Sequence, residues 1–300
     1  MTSAGAVVGP AVNAVGNSKY FISVILLVPL IGTAFAISLL LQGGIRFSDL
    51  ALLAAMYVMT GFGLTIGFHR LLTHRSFQTY PAVKIILLIL GSMGVAGPPI
   101  AWAAAHIKHH SRPDLEGDPH SPMEGIFHAH VGWLFKNRFP DAEIYCPHLL
   151  ADSSAVFVNR TFLLWVALSF AIPFMIGGWT GLLWGGIVRV FISHHTMFCV
   201  NSVCHAFGSR EFETNDCSRN QWIVGLLALG EGWHNNHHAF PRSAFHGLHW
   251  WQIDLSGYVI WALERLGLIY DVYRVSPAAL QRSSAFKARL ASSPIFKEES

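Results

Sequence analysis

The chain has 300 residues, of which 52% are hydrophobic and only 12% are charged, whereas an ordinary soluble domain carries roughly 25% charged residues. Together with a mean hydropathy of +0.42, this composition argues against a soluble domain and indicates an integral membrane protein. The net charge of +3 is small, and no basic patch is interleaved with aromatic residues, so nucleic acid is not expected as a partner.

Four apolar segments are predicted to be transmembrane helices, because a span needs about 20 apolar residues. They form two hairpins, residues 20–41 with 50–68 and residues 161–178 with 182–204. The polar segments 69–160 and 205–275 are predicted to form a cytosolic helical cap. Strand signals are few, so we expect an all-α integral membrane protein that forms one domain over residues 1–300, with loose tails at 1–19 and 276–300.

Three histidine clusters lie at a span end or in the predicted cap. Their members are His69 and His74; His106, His109 and His110; and His234, His237 and His238. Helical positions i, i+3 and i+4 share a face, so the second and third clusters are each expected to point at one spot. The members of the first cluster are about 140° apart on an ideal helix, so one is expected in a distorted turn or at a helix end. Imidazole is a common metal ligand, and eight suit two metal ions.

A further apolar run at residues 85–105 is long enough to be taken for a fifth span. We predict that it does not cross, because a crossing would put the first two histidine clusters on opposite membrane faces, roughly 30 Å apart. Gly97-Pro98-Pro99 also interrupts it. Of the 20 Lys and Arg residues, 8 lie in 69–160 and 9 in 205–300, so the positive-inside rule places all three clusters and both termini in the cytosol.

The ligand types narrow the kind of metal site. Histidine without clustered cysteine argues against a zinc ribbon or an iron–sulfur centre, and the four cysteines form no Cys-x-x-Cys pair and are interpreted as free thiols. Imidazole alone does not select among zinc, copper, iron and nickel. A two-metal site beside an apolar membrane interior favours oxidation of a lipid-like substrate, and breaking an unactivated C–H bond needs an oxidant that iron and oxygen supply.

The boxes His-x4-His, His-x2-His-His and His-x2-His-His occur in this order around two hairpins. In these boxes the chain resembles the membrane fatty-acyl desaturase family, most closely the acyl-CoA Δ9 (stearoyl-CoA) desaturase branch and its bacterial relatives. The likeness runs from about residue 50 to residue 255. It includes residues 69–77, 117–120, 130–134, 201–205 and 230–241.

The resemblance implies two iron ions that activate O2 and an activity that introduces a cis double bond, expected at Δ9, into a saturated acyl chain. It also implies that His205 is a ninth metal ligand and that Asn201 approaches one metal through water; the two are i, i+4 on one helix face. No His-Pro-Gly-Gly stretch and no ferredoxin cysteine pattern is present. We therefore expect a separate electron donor of the ferredoxin, flavodoxin or cytochrome b5 type, and a bacterial inner-membrane location.

Residues beside the boxes are candidates for orienting the ligands, since ligating histidines usually give their second N–H to a carboxylate or carbonyl. These candidates are Asp118, His120, Asp216 and Glu231. His194 and His195 lie near the expected substrate path. Arg189, inside the last predicted span, is expected to face the interior and to be hydrogen-bonded.

Tyr57 and Gly61 lie two to three helical turns before His69, about 12–18 Å deeper in the bundle. They are i, i+4 and share a face. In the desaturases that the chain resembles, the corresponding positions border the closed end of the acyl tunnel, so Tyr57 is expected to form the floor for chains of roughly 16–18 carbons. The alternative is that both residues simply pack between spans.

The sequence leaves several alternatives open. Charged residues that hold the nucleotide in acyl-CoA members of the family are replaced by Ala104, Ala105 and Ile107. The acyl carrier is therefore CoA with a rearranged clamp using Lys108 or Arg112, acyl carrier protein, or a membrane lipid. A di-iron alkane or fatty acid hydroxylase is the nearest rival activity. A metal transporter is disfavoured, because its ligands are expected at the bilayer midplane.

Overall fold

The computed structural model describes residues 19–136 and 139–283, so most of the two predicted tails lies outside the described residues. The described chain is mostly helical, as the scarcity of strand signals predicted. Its one sheet is a two-residue pairing in which strand β1 (Gln78–Thr79) lies antiparallel to strand β2 (Ile269–Tyr270). This pairing holds residues 269–270 next to residues 78–79, which follow the first histidine box.

The first hairpin consists of helix α1 (Lys19–Leu41) and helix α2 (Phe47–Phe62), which continues without a break as a π-helix over Gly63–Thr73. The predicted second span, residues 50–68, therefore lies within a longer helix that carries the first histidine box at its end. A π-helix hydrogen-bonds each N–H to the fifth carbonyl back. The N–H of His74 donates in this way to the carbonyl of His69, over 3.1 Å.

The apolar run after the first box is divided into helix α3 (Pro81–Met93) and helix α4 (Pro99–Ser111). Each begins with proline, which fits the first helical position because its missing N–H would be unpaired there anyway. Between them Val95 has φ 62° and Gly97 has φ 108°, which ends one helix and redirects the chain. Each helix is 13 residues long, about 20 Å, and so is too short to cross a bilayer.

Short helices follow in the cap. They are a 3₁₀ turn at Pro122–Glu124, a π-helical turn at His128–Gly132, α5 (Trp133–Lys136), α6 (Ala142–Tyr145), α7 (Pro147–Leu150) and α8 (Ser153–Arg160). Helix α8 begins where the carboxylate of Asp152 accepts a hydrogen bond from the N–H of Ala155, a standard N-cap.

The second hairpin consists of helix α9 (Phe162–Gly181) and a π-helical stretch (Leu182–Val188) that leads into helix α10 (Arg189–Ser202). Gly178 has φ 63° and ψ −147°, values outside the helical region. A Cβ placed at Gly185 would lie 2.9 Å from the Cβ of Pro173, although the two residues would be about 18 Å apart along one straight helix. The segment therefore folds back on itself near Gly178.

The chain ends with helices α11 (Trp222–Leu227), α12 (His234–Ala239) and α13 (Leu255–Arg265). Helix α13 is N-capped by Asp254, whose side chain accepts a hydrogen bond from the N–H of Gly257. Within the described residues, three helical segments are long and apolar enough to cross a membrane: Lys19–Leu41, Phe47–Thr73 and Phe162–Ser202.

Arg189 is fully buried at the start of α10. Its guanidinium donates to the carbonyls of Met93, Ser169 and Gly185, so it ties α10 to α9 and to the end of α3. The prediction of an interior-facing, hydrogen-bonded arginine is confirmed. All four cysteines are free, as predicted.

Candidate metal centre

Five histidines from three elements form the first group of the centre, called here site A. They are His69, His74, His106, His110 and His237. Their Nε2 atoms follow one another at 3.0–3.2 Å in the order 74, 106, 110, 237, 69. The π-helix brings the two members from the first box together, because its wider turn brings i and i+5 closer to one face than an ideal α-helix does.

Four further histidines form site B, beside site A. They are His109, His205, His234 and His238. The Nε2 of His234 lies 3.0 Å from the Nε2 of His205 and 3.1 Å from that of His238. The Nε2 of His109 is buried and has no hydrogen-bond partner among the described residues. The structure thus brings together all nine histidines that the sequence singled out.

One expectation about these histidines was wrong. The spacing predicted that each His-x2-His-His box would point at a single spot, but the two boxes are divided between the sites. Helix α4 gives His106 and His110 to site A and His109 to site B, whereas α12 gives His234 and His238 to site B and His237 to site A. On a helix the i and i+4 residues are about 40° apart while i+3 points about 60° to the other side of i, so adjoining sites receive them separately.

Carboxylates fix the orientation of four of the rings. The Nδ1 of His69 lies 2.5 Å from Glu231, and the Nδ1 atoms of His109, His205 and His238 lie 2.9 Å from Asp118, Asp114 and Asp216 respectively. A neutral imidazole has one N–H, and a carboxylate on Nδ1 holds it there. The Nε2 atom of each of these rings is then unprotonated and has a free lone pair.

Bare lone pairs that face one another at about 3 Å repel unless a cation lies between them. In site B, the Nε2 atoms of His205 and His238 are both turned toward that of His234. The residues present therefore fit metal ions, and each group offers only nitrogen from neutral imidazole, a donor suited to zinc, copper, iron or nickel.

The predicted orienting residues occupy these positions in three cases. Asp118, Asp216 and Glu231 each contact a histidine of the two groups. His120 instead lies with its ring 4.4 Å from that of His109, and its backbone N–H donates to Asp118. The sequence reasoning missed Asp114, which lies four residues before Asp118 in the same polar stretch, a spacing that could have suggested it.

The reasoning also missed a buried ion network next to His69. Arg70 is fully buried and lies between two carboxylates, 3.2 Å from Glu231 and 2.9 Å from Asp254. It also donates to the carbonyl of Ala244. The ring of His246 lies within 3.3 Å of Glu231. The sequence signal for this network is Arg70 itself, which directly follows His69. An arginine buried beside a metal ligand requires carboxylate partners.

Burial and mutual repulsion lower the pKa of six histidines of the centre. Loss of hydration, followed by the charges of neighbouring histidines, holds the pKa of His74, His106 and His110 well below the usual value, and the same causes act on the third box. For Glu231, burial opposes ionisation, but His69, His246 and Arg70 outweigh it and lower its pKa. Neutral imidazole is the form that binds metal.

A cavity of about 160 Å³ adjoins the metal centre. Its polar lining includes His106, His120, Asn201 and His194, and most of the remaining wall is apolar, including Phe21, Ile25 and Phe162 from the membrane helices. Trp102 also lines it and stacks on His106, with ring centroids 5.1 Å apart. Asn201 lines this cavity from α10, four residues before His205 in the chain.

Tyr57 and Gly61 lie at a second, smaller cavity of about 20 Å³. Met197 lines both cavities. The hydroxyl of Tyr57 donates to the carbonyl of Leu227 over 2.6 Å, and a Cβ at Gly61 would lie 2.6 Å from Leu229. Both residues thus pack between helices, and their role as the floor of an acyl tunnel stays a prediction. His195 lies away from the cavity lining, paired with His130 over 3.0 Å.

The sequence model described as fatty acid desaturase matches residues 49–272. The chain belongs to the fatty acid desaturase family. A hex-5-enoyl-[acyl-carrier protein] acetylenase of Moorena producens is 42% identical over 266 residues, covering 82% of this chain and 83% of the relative. An acyl-CoA C20 Delta5-desaturase of Anemone leveillei is 40% identical, covering 78% and 76%. An sn-1 stearoyl-lipid 9-desaturase of Synechocystis sp. is 43% identical, covering 72% and 69%.

Family membership places the chain among the oxidoreductases of lipid metabolism. The matched region contains all three histidine boxes, Asn201 and His205, together with each carboxylate that contacts a histidine of the two groups. The geometry described above is therefore a property of the family domain of this chain.

Proposed function

We propose that the protein is an O2-dependent desaturase that introduces a cis double bond at Δ9 into a saturated acyl chain of about 16–18 carbons. The observation that carries this proposal is the pair of imidazole groups with facing Nε2 atoms, set at the end of an apolar cavity. The nine histidines would hold two iron ions, five ligands at site A and four at site B, with Asn201 near one of them.

Iron bound at these groups would supply the O2 activation that removal of two hydrogens from an unactivated chain requires. The protein's own residues do the rest. The apolar wall of the cavity binds the chain and excludes water. Trp102, stacked on His106, forms part of the wall next to site A. The carboxylates on Nδ1 hold the ligand rings in one tautomer and one orientation.

The relatives differ in substrate and acyl carrier. Their names specify a stearoyl-lipid, a C20 acyl-CoA and a hexenoyl chain on acyl carrier protein. Two 9-desaturases of stearoyl-lipid, at 43% and 38% identity, support the Δ9 position and the chain length. The carrier remains one of these three classes, and we propose a separate electron donor of the ferredoxin, flavodoxin or cytochrome b5 type.

We further propose four membrane crossings, with the metal centre and both termini in the cytosol of a bacterium. Arg46, in the turn of the first hairpin, donates to the carbonyl of Gly177 over 3.2 Å and pairs with Asp49 over 2.9 Å. Thr180 donates to the same Asp49. The turns of the two hairpins therefore lie together, which supports placing them on the membrane face opposite the histidines.

The test is expression in bacterial cells that lack a Δ9 desaturase, with gas chromatography–mass spectrometry of the lipids as dimethyl disulfide adducts. Cells with the wild-type chain should accumulate 9-cis unsaturated chains of 16 or 18 carbons, and cells with His238→Ala should not. A product that gains an oxygen atom would instead establish hydroxylation. Pulse labelling with stearate, followed by separation of acyl-CoA, acyl carrier protein and lipid fractions, identifies the carrier that first contains the product.

A further inference from the structure

The charges next to the two metal positions differ in number. Site A has one carboxylate on a ligand, Glu231 on His69. The other oxygen of Glu231 is held by Arg70, which also pairs with Asp254. All four side chains are buried. Glu231, Arg70 and Asp254 together therefore carry one net negative charge beside site A.

Site B has carboxylates on three of its four ligands, since Asp118, Asp114 and Asp216 contact His109, His205 and His238. The other bonds to Asp118 come from the backbone N–H groups of Asp114 and His120.

Neutral groups also donate to the other two site B carboxylates. Asp114 accepts from the N–H of Cys217, and Asp216 accepts from the hydroxyl of Thr214 and the N–H of Ser218. Arg210 donates to the carbonyl and the hydroxyl of Thr214.

We infer that the two metal positions are electronically unequal and that the iron at site B has the lower reduction potential. A carboxylate that accepts the Nδ1–H makes the imidazole a stronger donor, and charges act strongly in a buried, low-dielectric site. Three carboxylates on four ligands therefore favour Fe3+ at site B. One carboxylate shared with Arg70, on five ligands, favours Fe2+ at site A. This inference rests on the proposed two-iron loading.

The electron balance is simple. On one-electron oxidation of the iron-loaded, fully reduced protein, an iron held by the site B histidines would pass from Fe2+ to Fe3+ and give its electron to an added redox dye. An iron held at site A would remain Fe2+ until a second electron is withdrawn. Asp114, Asp118 and Asp216 are positioning and tuning residues in this account, because they act through the histidines rather than on the substrate.

The experiment is a redox titration of the purified, iron-loaded full chain in detergent with dye mediators, followed by electron paramagnetic resonance and Mössbauer spectroscopy. Two one-electron steps are expected. Asp118→Asn should weaken the preference for Fe3+ in the first step about tenfold, a rise of about 59 mV for one electron. Glu231→Gln, the matched carboxylate-to-amide change at site A, should move only the second step.

Asp216→Asn makes the same change at a less buried carboxylate of site B. It replaces Asp118→Asn in the titration if that variant does not retain iron. Oxidation of both irons in a single step overturns the inference while leaving the proposed function standing. So does a first step that moves with Glu231→Gln, or that moves with neither aspartate variant. A wild-type chain that holds fewer than two irons overturns the proposed function as well.

Discussion

At the scale of single residues, the centre depends on which ring nitrogen carries the proton. His205 shows the arrangement: Asp114 holds the Nδ1 atom at 2.9 Å, and Nε2 is turned toward His234 at 3.0 Å. The sequence identified His205 only through the family resemblance. The spacing of Asp114 from Asp118 could mark Asp114 as an orienting carboxylate, but it could not pair Asp114 with His205, which is 91 residues away in the chain.

Single substitutions at the two sites should remove iron from the site that is changed. His74→Ala at site A and His205→Ala at site B should each lower the iron content to about one ion or fewer per chain. Each should also reduce desaturation at least about 100-fold, because losing a ligand costs at least as much as losing its orienting partner. Iron content by plasma mass spectrometry and product by gas chromatography are the measurements.

The control is His148→Ala, at an exposed histidine in α7 outside both groups, which should keep both irons and full activity. If either ligand variant retains two irons and wild-type activity, that histidine is not a ligand.

At the scale of secondary structure, most elements could be predicted and their detailed geometry could not. Hydropathy and length located the long apolar helices to within a few residues, and Gly97-Pro98-Pro99 correctly marked the break between α3 and α4. Periodicity placed three histidines of α4 on one side of the helix. Whether His109 binds at the same site as His106 depends on how α12 packs against α4, which the periodicity does not reveal. The π-helix at Gly63–Thr73 has one local sequence signal, the five-residue spacing of His69 and His74, which does not place both on one face of an α-helix.

The close approach of the π-helix to α3 depends on Gly63. A Cβ at this position would overlap the backbone of Gly91, including its Cα at 2.7 Å. Gly63→Ala should therefore force the two helices apart and destabilise the protein by about 1–3 kcal/mol, as overpacking usually does. It should also loosen His69, six residues further on.

Thermal unfolding in detergent and iron retention measure the effect of Gly63→Ala. Gly177→Ala is the matched control, because a Cβ there would meet nothing nearer than the Cδ2 of Leu52 at 3.5 Å. An unchanged unfolding midpoint in Gly63→Ala would show that the helices do not need this contact.

At the scale of the whole molecule, the topology predicts which residues can be labelled from each side of the membrane. In a cysteine-free background, single cysteines at Gln78 and Arg112 should both react with an impermeant thiol reagent from the cytosolic side only. The reason is that in the proposed topology neither α3 nor α4, which carries the second box, crosses the membrane. Inverted and right-side-out vesicles give the two orientations, and a cysteine at Gly43, in the first hairpin turn, is the control that should react from the opposite side. Labelling of positions 78 and 112 from opposite sides would refute the topology.

The depth available to the acyl chain is also a property of the whole bundle. If the chain passes Met197 into the smaller cavity, Gly61→Leu should shift the substrate preference toward shorter chains and Tyr57→Ala should admit longer ones. The reason is that these substitutions fill or open the space beside Leu227 and Leu229. Assays with saturated chains of different length measure the preference. Retention of the wild-type profile at normal activity in both variants would mean that Tyr57 and Gly61 only pack between helices.

Because α4 and α12 each supply histidines to both sites, the metal centre can form only after distant parts of the chain have folded together. Each site takes histidines from both helices, so neither site is complete until segments more than 100 residues apart in the chain have met. In a newly made chain without metal, buried lone pairs would face one another unscreened and hold the cap open. Metal bound at both sites would hold these ligands together, so that metal binding and closure of this part of the fold would be coupled.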